Sequence, residues 1–277
     1  MKSVTCLSLP MLFLLATISQ ELNAGKKVNL VRAVPAAKQI SMDDIVHTSW
    51  NDLLKTYVNG KGLVNYTALK SNRKDQAKLD RYLNHLARGS LTKPASKKAR
   101  LAFWINAYNA VTVKGILREY PTTSIRNHTA RLNGYNIWKD LLLNVGGKNV
   151  SLEMIEHDIL RKMGDARIHF AIVCASQSCP RLLNEAYTPE KVNQQLDANA
   201  KVFFASRENF RFDAKRNRVY LSTILKWFAE DFGRTQAEQL RSVAPFLPKS
   251  GRLAAKQKSV KVSYLSYDWG LNDWKTR

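Results

Sequence analysis

Residues 101–121, LAFWINAYNAVTVKGILREYP, carry the strongest helix pattern in the chain. The segment is apolar nearly all round, which suits a helix enclosed by the rest of the molecule, and Pro121 closes it. Two amides interrupt it. Asn106 and Asn109 stand three residues apart and therefore share a side of the helix. A buried amide left without partners costs about 1–3 kcal/mol, so each must meet either the backbone of an irregular loop or the groups of a site. Asn106 is accordingly carried forward both as a structural tie and as a candidate catalytic residue.

Before this helix, Ser41 or Asp43 is placed to cap a helix with Ile45, Val46, Trp50, Leu53, Leu54 and Tyr57 on one stripe. Asn59-Gly60-Lys61-Gly62 ends it, and a second amphipathic helix is expected from Leu69 to Leu86. After it, residues 122–150 read as a turn-rich insertion anchored by Ile137, Trp138 and Leu141 to Leu143, with His128 exposed. Residues 151–162 resume a helix, with Ser151 at its start and Glu156 at the edge of the apolar face. A carboxylate in that position either pairs with a cation such as Arg161 or Arg167, or has a raised pKa suited to acid–base chemistry.

Ile168 to Val173 is a short unbroken apolar run, bounded by Asp165 and by a Ser-rich turn ending at Pro180, and it reads as a strand buried on both faces. Beyond it, Thr188-Pro189-Glu190 is a helix start, with the helix running to about Ser206. Phe210/Phe212 and Val219/Leu221 alternate about a polar turn as a hairpin. Ser222 caps a further helix through TILKWFAEDF, another helix covers roughly 235–246, and residues 260–264 form a last strand before Tyr267-Asp268-Trp269. There is no repeat and no long linker. The expected fold is α+β, a single helix-rich domain over 41–277, with a small, mostly antiparallel sheet and a central buried helix.

The first residues read as a signal peptide over 1–24, with Lys2 at its start and an apolar run from Leu7 to Ile18. That run is too short and weakly flanked to read as a membrane span, and residues 25–40 read as a loose leader. The expected location is exported, periplasmic or secreted. The chain has 44 Lys and Arg against 22 Asp and Glu, a net charge of +22. Losing residues 1–24 removes one lysine and one glutamate and leaves that balance unchanged. Such a surface attracts polyanions. The partner expected in the envelope is an anionic polymer or a peptide, and export argues against nucleic acid.

Cys174 and Cys179 are the only cysteines beyond the signal, too few for a disulfide framework. They follow His169 in RIHFAIVCASQSCP (167–180). On an extended strand, five residues separate His169 from Cys174 by ~16 Å; Cys179, returning through Ala175 to Ser178, reaches the His more easily. With Glu156 or Asn106 to orient the imidazole, these residue types suffice for a cysteine-dependent hydrolase or transferase acting on an amide or ester. The competing reading is a Cys174–Cys179 disulfide in a non-enzymatic basic envelope protein. No phosphate loop, GxSxG elbow or HExxH helix occurs, His169 and the two cysteines lack zinc-site spacing, and no cofactor is expected.

FWINAYNA (103–110), SLEMIEHDILR (151–161), RIHFAIVCASQSCP (167–180), YLSTILKWFAEDF (220–232) and YLSYDWGLND (264–273), with LLKTYVNGKGLVNYTALK (53–70) before them, resemble the signature blocks of the domain of unknown function 547 family over about 45–273. The resemblance implies one α+β domain, often exported in bacteria, and no agreed reaction. It also implies that the cysteine matching Cys174 is the more regular of the two, which favours Cys174 as nucleophile. The central helix also invites comparison with papain-like folds, but no cysteine stands at its start.

Overall fold

The computed structural model describes residues 26–129 and 135–276. The segment read as a signal peptide, 1–24, with Cys6, and Asn133-Gly134 of the insertion lie outside the described residues. The first strand, β1 (Val28–Asn29), falls in the segment read as a loose leader. A short 3-10 turn, Met42–Asp44, follows, with Ser41 accepting from the Asp43 amide, and then α1 (Thr48–Tyr57). The helix expected from Leu69 is two helices, α2 (Tyr66–Ser71) and α3 (Arg73–Leu86), broken at Asn72, whose side chain caps the second by accepting from Asp75.

The central helix, α4, spans Lys97–Glu119. Ser96 caps it by accepting from the Ala99 amide, while Asp43 accepts in turn from the Ser96 amide and hydroxyl at 2.9 and 2.7 Å. Every residue from Leu101 to Val113 is buried. Burying one large apolar side chain contributes about 1.5–3 kcal/mol, so a helix enclosed over three turns organises what packs on it. Gly115 permits the closest approach. A Cβ there would lie 2.8 Å from Leu141 and 2.9 Å from Ile137, which belong to β2 (Leu141–Val145) and to the helical turn before it, α5 (Ile137–Asp140).

The expected single sheet is two, each of three strands and each mixed. In the first, β2 pairs parallel to β1 (Val28 opposite Leu141) and antiparallel to β3 (Lys148–Ser151; Leu143 opposite Val150). The hairpin turns through Gly146-Gly147, both at positive φ, inside the segment read only as turn-rich. Helix α6 (Val192–Ala205) then leads to the second sheet. There β4 (Phe210–Asp213) and β5 (Arg218–Leu221) form the expected hairpin, and β6 (Lys261–Tyr264) joins β5 in parallel, Val219 opposite Val262. The helix expected after Ser222 is two single turns, α7 (Ile224–Trp227) and α8 (Ala229–Phe232), broken at Phe228; α9 (Gln236–Val243) and α10 (Lys249–Ala255) follow. The fold class is α+β.

Two apolar clusters result. One surrounds α4, and the other gathers Phe170, Phe203, Phe204 and Phe232 with the inner side of the second sheet. The run 168–173 lies between them, with Ile168 in the first cluster and Phe170 in the second. It is buried as expected, but it is not a strand. Ala166–Phe170 is a 3-10 turn capped by Asp165, and 171–173 is irregular. Its backbone is satisfied by side-chain amides instead of a ladder. Asn109 donates to the Ala171 carbonyl (3.0 Å) and accepts from the Val173 amide (2.9 Å), and Asn199 of α6 donates to the Phe170 carbonyl (2.8 Å). A short apolar run has no periodicity that separates a strand from a buried turn of this kind.

Asn106 forms the same paired contact elsewhere, donating to the Tyr187 carbonyl (2.7 Å) and accepting from the Tyr187 amide (3.0 Å). Truncating either amide orphans two buried backbone groups. Asn109→Ala and Asn106→Ala should each lower the unfolding free energy by about 1–3 kcal/mol, read from urea midpoints. A loss below about 0.5 kcal/mol, the range of ordinary surface changes, would mean that water replaces the amides.

Candidate functional site

The turn from Cys174 to Cys179 reverses at Ala175, which holds φ 59°, the left-handed region that a residue bearing a Cβ enters at a cost of roughly 1–2 kcal/mol. The segment after β6 clamps the turn in place. The Gln177 amide donates to the Gly270 carbonyl (2.8 Å), the Asn272 amide to the Ala175 carbonyl (3.0 Å), and the Asp268 amide to the Ser178 hydroxyl (2.8 Å). This strap delivers the Tyr267 hydroxyl to the sulfurs.

The reversal sets the two Sγ atoms 2.6 Å apart, and the Cys174 amide donates to Cys179 Sγ at 3.1 Å. Ser176 Oγ lies 3.3 Å and the Tyr267 hydroxyl 3.1 Å from the same sulfur, with 2.8 Å between the two oxygens. Burial opposes ionisation of Cys179, but hydrogen bonds from the Cys174 thiol, Ser176 and Tyr267 outweigh it and hold its pKa at about 6. The Cys174 thiol goes the other way, raised well above its usual value by its bond to Cys179 and then by burial. The pair therefore holds one negative charge near neutrality. The backbone donor places it on Cys179, whereas the family resemblance pointed to Cys174.

Both sulfurs line a pocket of about 550 Å³ with Tyr108, Glu156 and His169. Its aromatic wall includes Trp138, Trp227, Phe228 and Trp269; Trp227 stacks on Trp269 at 5.6 Å between centroids, and Tyr267 lies 4.6 Å from Trp269.

Glu156 reaches this pocket from a π-helical turn, Met154–Leu160, which starts where Ser151 accepts from the Met154 amide. Neither cation anticipated for Glu156 takes it. Arg161 binds Asp231 through two hydrogen bonds of 2.6 and 3.0 Å, and Arg167 binds Asp165 and Asp197 at 2.6 and 2.7 Å. Among the described residues no salt bridge reaches Glu156. Burial raises its pKa to about 7, only partly offset by the Tyr108 hydroxyl donating to Oε2 at 3.2 Å.

His169 is held on the other side, its side chain 1% exposed, stacked on Phe228 at 4.0 Å and bonded through Nε2 to Asp231 Oδ2 at 2.6 Å. Burial outweighs that carboxylate and lowers the imidazole pKa to about 4. Asp231, despite its own burial, is kept below the ordinary carboxylate range by Arg161 and His169. The neutral ring thus carries its proton on Nε2 and leaves Nδ1 as the acceptor. None of the contacts that lower the Cys179 pKa comes from His169, so the imidazole does not activate that thiol as the sequence pattern suggested.

Of the five candidates, Cys174, Cys179, His169 and Glu156 share the pocket, and Asn106 does not; it is bonded to Tyr187. The ~16 Å separation does not apply either, because a 3-10 turn rises only about 2 Å per residue and the chain folds back after Val173. The site also takes in Tyr267, Tyr108 and Ser176, with Asp231 bonded to His169, and no local sequence pattern marks any of them for it. Asp231 lay inside an apparently continuous helix, and nothing in its spacing marked it; Tyr267 was visible only as part of an aromatic cluster after the last strand.

The site defines a dithiol pocket on an α+β fold, with an ionisable carboxyl and a carboxylate-bound imidazole on its walls. Residues 92–204 match the model of a family described as a protein of unknown function, DUF547, and that span contains both cysteines, His169 and Glu156. The resemblance to the domain of unknown function 547 family therefore holds over 92–204; the blocks at 53–70, 220–232 and 264–273 fall outside the matched span. No curated protein and no solved structure matches the chain.

Two measurements test these electrostatics. Iodoacetamide should label Cys179 with a pH midpoint near 6 instead of the about 8.5 of a free thiol, and Tyr267→Phe should move the midpoint upward; a wild-type midpoint above 8 would remove the thiolate. For His169, the unfolded chain takes up a proton near pH 6.5, whereas the folded ring resists until about pH 4. Unfolding then binds a proton between those values, so stability falls as pH drops through the window, by about 2 kcal/mol between pH 7 and pH 5. His169→Asn should show a correspondingly shallower drop in unfolding free energy over that interval, and an unchanged slope would contradict a buried neutral imidazole.

Proposed function

We propose that the protein is an exported, cysteine-dependent hydrolase or transferase acting on amide or ester bonds in the cell envelope. One observation carries the reading: a single pocket holds a cysteine sulfur met by a backbone N–H and two hydroxyls, which lower its pKa, and a carboxyl whose burial raises its own. The Cys179 thiolate attacks the substrate carbonyl carbon. The carbonyl bond to the leaving amine or alcohol breaks, Glu156 in its acid form gives that group its proton, and a thioester on Cys179 remains. Water, or an acceptor alcohol or amine, then attacks the thioester with the Glu156 carboxylate taking its proton, and the Cys179 thiolate leaves. His169 and Asp231 border this chemistry as a neutral, oriented acceptor. Export and an envelope substrate rest on the signal pattern of residues 1–24 and on a net charge of +22, which suits anionic envelope polymers.

The close approach of the sulfurs favours a second reading. At 2.6 Å they lie nearer to the about 2.05 Å of a disulfide than ordinary neighbours do. A permanent bond would leave a basic envelope protein whose pocket binds a partner without chemistry. Labelling that appears only after reductant would favour this reading.

The hydrolase reading requires a bell-shaped kcat/KM, rising through pH about 6 as Cys179 ionises and falling through about 7 as Glu156 loses its proton. Cys179→Ala should abolish turnover. Glu156→Gln should remove the alkaline limb and slow acyl p-nitroanilides by about 10²-fold or more, while p-nitrophenyl esters, whose leaving group departs without a proton, should suffer much less. Equal losses on the two substrates would take the acid role away from Glu156.

A further inference from the structure

A second cavity, of about 1580 Å³, lies between the start of α4 and the β2–β3 hairpin, and it is larger than the cysteine pocket. Its floor is apolar. Trp104 and Val150 are buried beneath it, Met154, Ile159 and Met163 are half-buried along it, and Leu91 remains 43% exposed at its edge. Its rim is cationic, with Lys93, Lys97, Arg100, Lys148 and Lys162 against one carboxylate, Asp158, which is paired with Lys162 at 3.6 Å. Among the described residues no salt bridge reaches Lys93, Lys97, Arg100 or Lys148. The cysteine pocket, by contrast, has no lysine or arginine on its walls among the described residues. Cations thus ring a partly exposed apolar floor in the one cavity, while the described walls of the other carry none.

We propose that this groove binds one molecule of an anionic lipid, its phosphate head between Lys97, Arg100 and Lys148 and its hydrocarbon chain along Met154, Ile159 and Met163. Asp165 and Asp43 act on Lys97 and Arg100 only at longer range than an ion pair, so the rim keeps an excess of positive charge that an anionic head relieves. The cations alone would suit any polyanion, but a polyanion gains nothing from the apolar floor. Removing apolar surface from water is worth about 25 cal/mol per Å², so the floor selects a ligand that brings a chain with its charge. The site does not depend on the cysteine chemistry proposed above, because neither sulfur lines it.

Titration calorimetry on the whole protein tests the assignment, with dodecyl phosphate below its micellar concentration as the probe and dodecyl maltoside and inorganic phosphate as its neutral and chainless counterparts. Dodecyl phosphate should bind at least about tenfold more tightly than either. Lys97→Glu with Lys148→Glu should weaken it by about tenfold or more, and Lys201→Glu with Lys258→Glu, an equal change of charge at exposed positions outside the groove, should leave it within about twofold. Inorganic phosphate binding as tightly as dodecyl phosphate, or equal losses in the two double variants, would overturn the proposal. Cys179→Ala should not alter binding, so a failure here stays separate from a failure of the hydrolase reading.

Discussion

Side-chain amides replace a β-ladder at the centre of this molecule, and the site depends on that substitution. The chain from Ile168 to Val173 lies between two apolar clusters, where backbone polar groups cannot stay unpaired. Asn109 of α4 and Asn199 of α6 supply the missing partners from either side. A ladder would have kept the segment extended and aimed successive residues in opposite directions. Amide bonding permits a compact turn, so His169 and both cysteines reach one pocket from a stretch of eleven residues.

The chemistry follows from what that pocket lacks. Among the described residues no lysine or arginine lines its walls, and negative charge on Cys179 is stabilised by oriented dipoles: a backbone N–H, two hydroxyls and a neighbouring thiol. Hydrogen-bond donors of this kind stabilise an anion without adding a counter-charge that would compete for it. Burial raises the Glu156 pKa to about 7, and Arg161, which opposes that shift only weakly, is occupied by Asp231. Asp231 in turn fixes the imidazole of His169. Arg161, Asp231 and His169 thus form one bonded group, while Cys179 and Glu156 line the pocket with no salt bridge to either among the described residues.

The sequence was most legible where local signals agree with tertiary environment. The enclosed helix around Asn106 and Asn109, the hairpin of Phe210 to Leu221 and the last strand all follow from periodicity and turn chemistry that no long-range contact overrides. The turn at 166–170 was hidden because a buried turn and a buried strand demand the same apolar residues. Leu141 to Val145 lacked alternation because both faces of that strand are covered. Asp231 and Tyr267 were hidden for a different reason. Each meets its partners across more than sixty residues of sequence, His169 in one case and Cys179 in the other, and a single sequence carries no signal for such a pairing. The break at Phe228, which turns Asp231 toward His169, interrupts a pattern otherwise indistinguishable from a continuous helix.

The three-residue interval between Asn106 and Asn109 also governs how this chain can change in length. The loops at Tyr187 and at Ala171 to Val173 are indexed to one helical phase, as two marks are fixed on one ruler. Adding or removing a residue between the marks would rotate one amide by about 100° relative to the other and release its loop into an apolar interior with nothing to bond. Insertions and deletions are therefore confined to places such as the exposed turn between β4 and β5, where the interval is measured by nothing else. The core of α4 can drift in side-chain identity, but not in count.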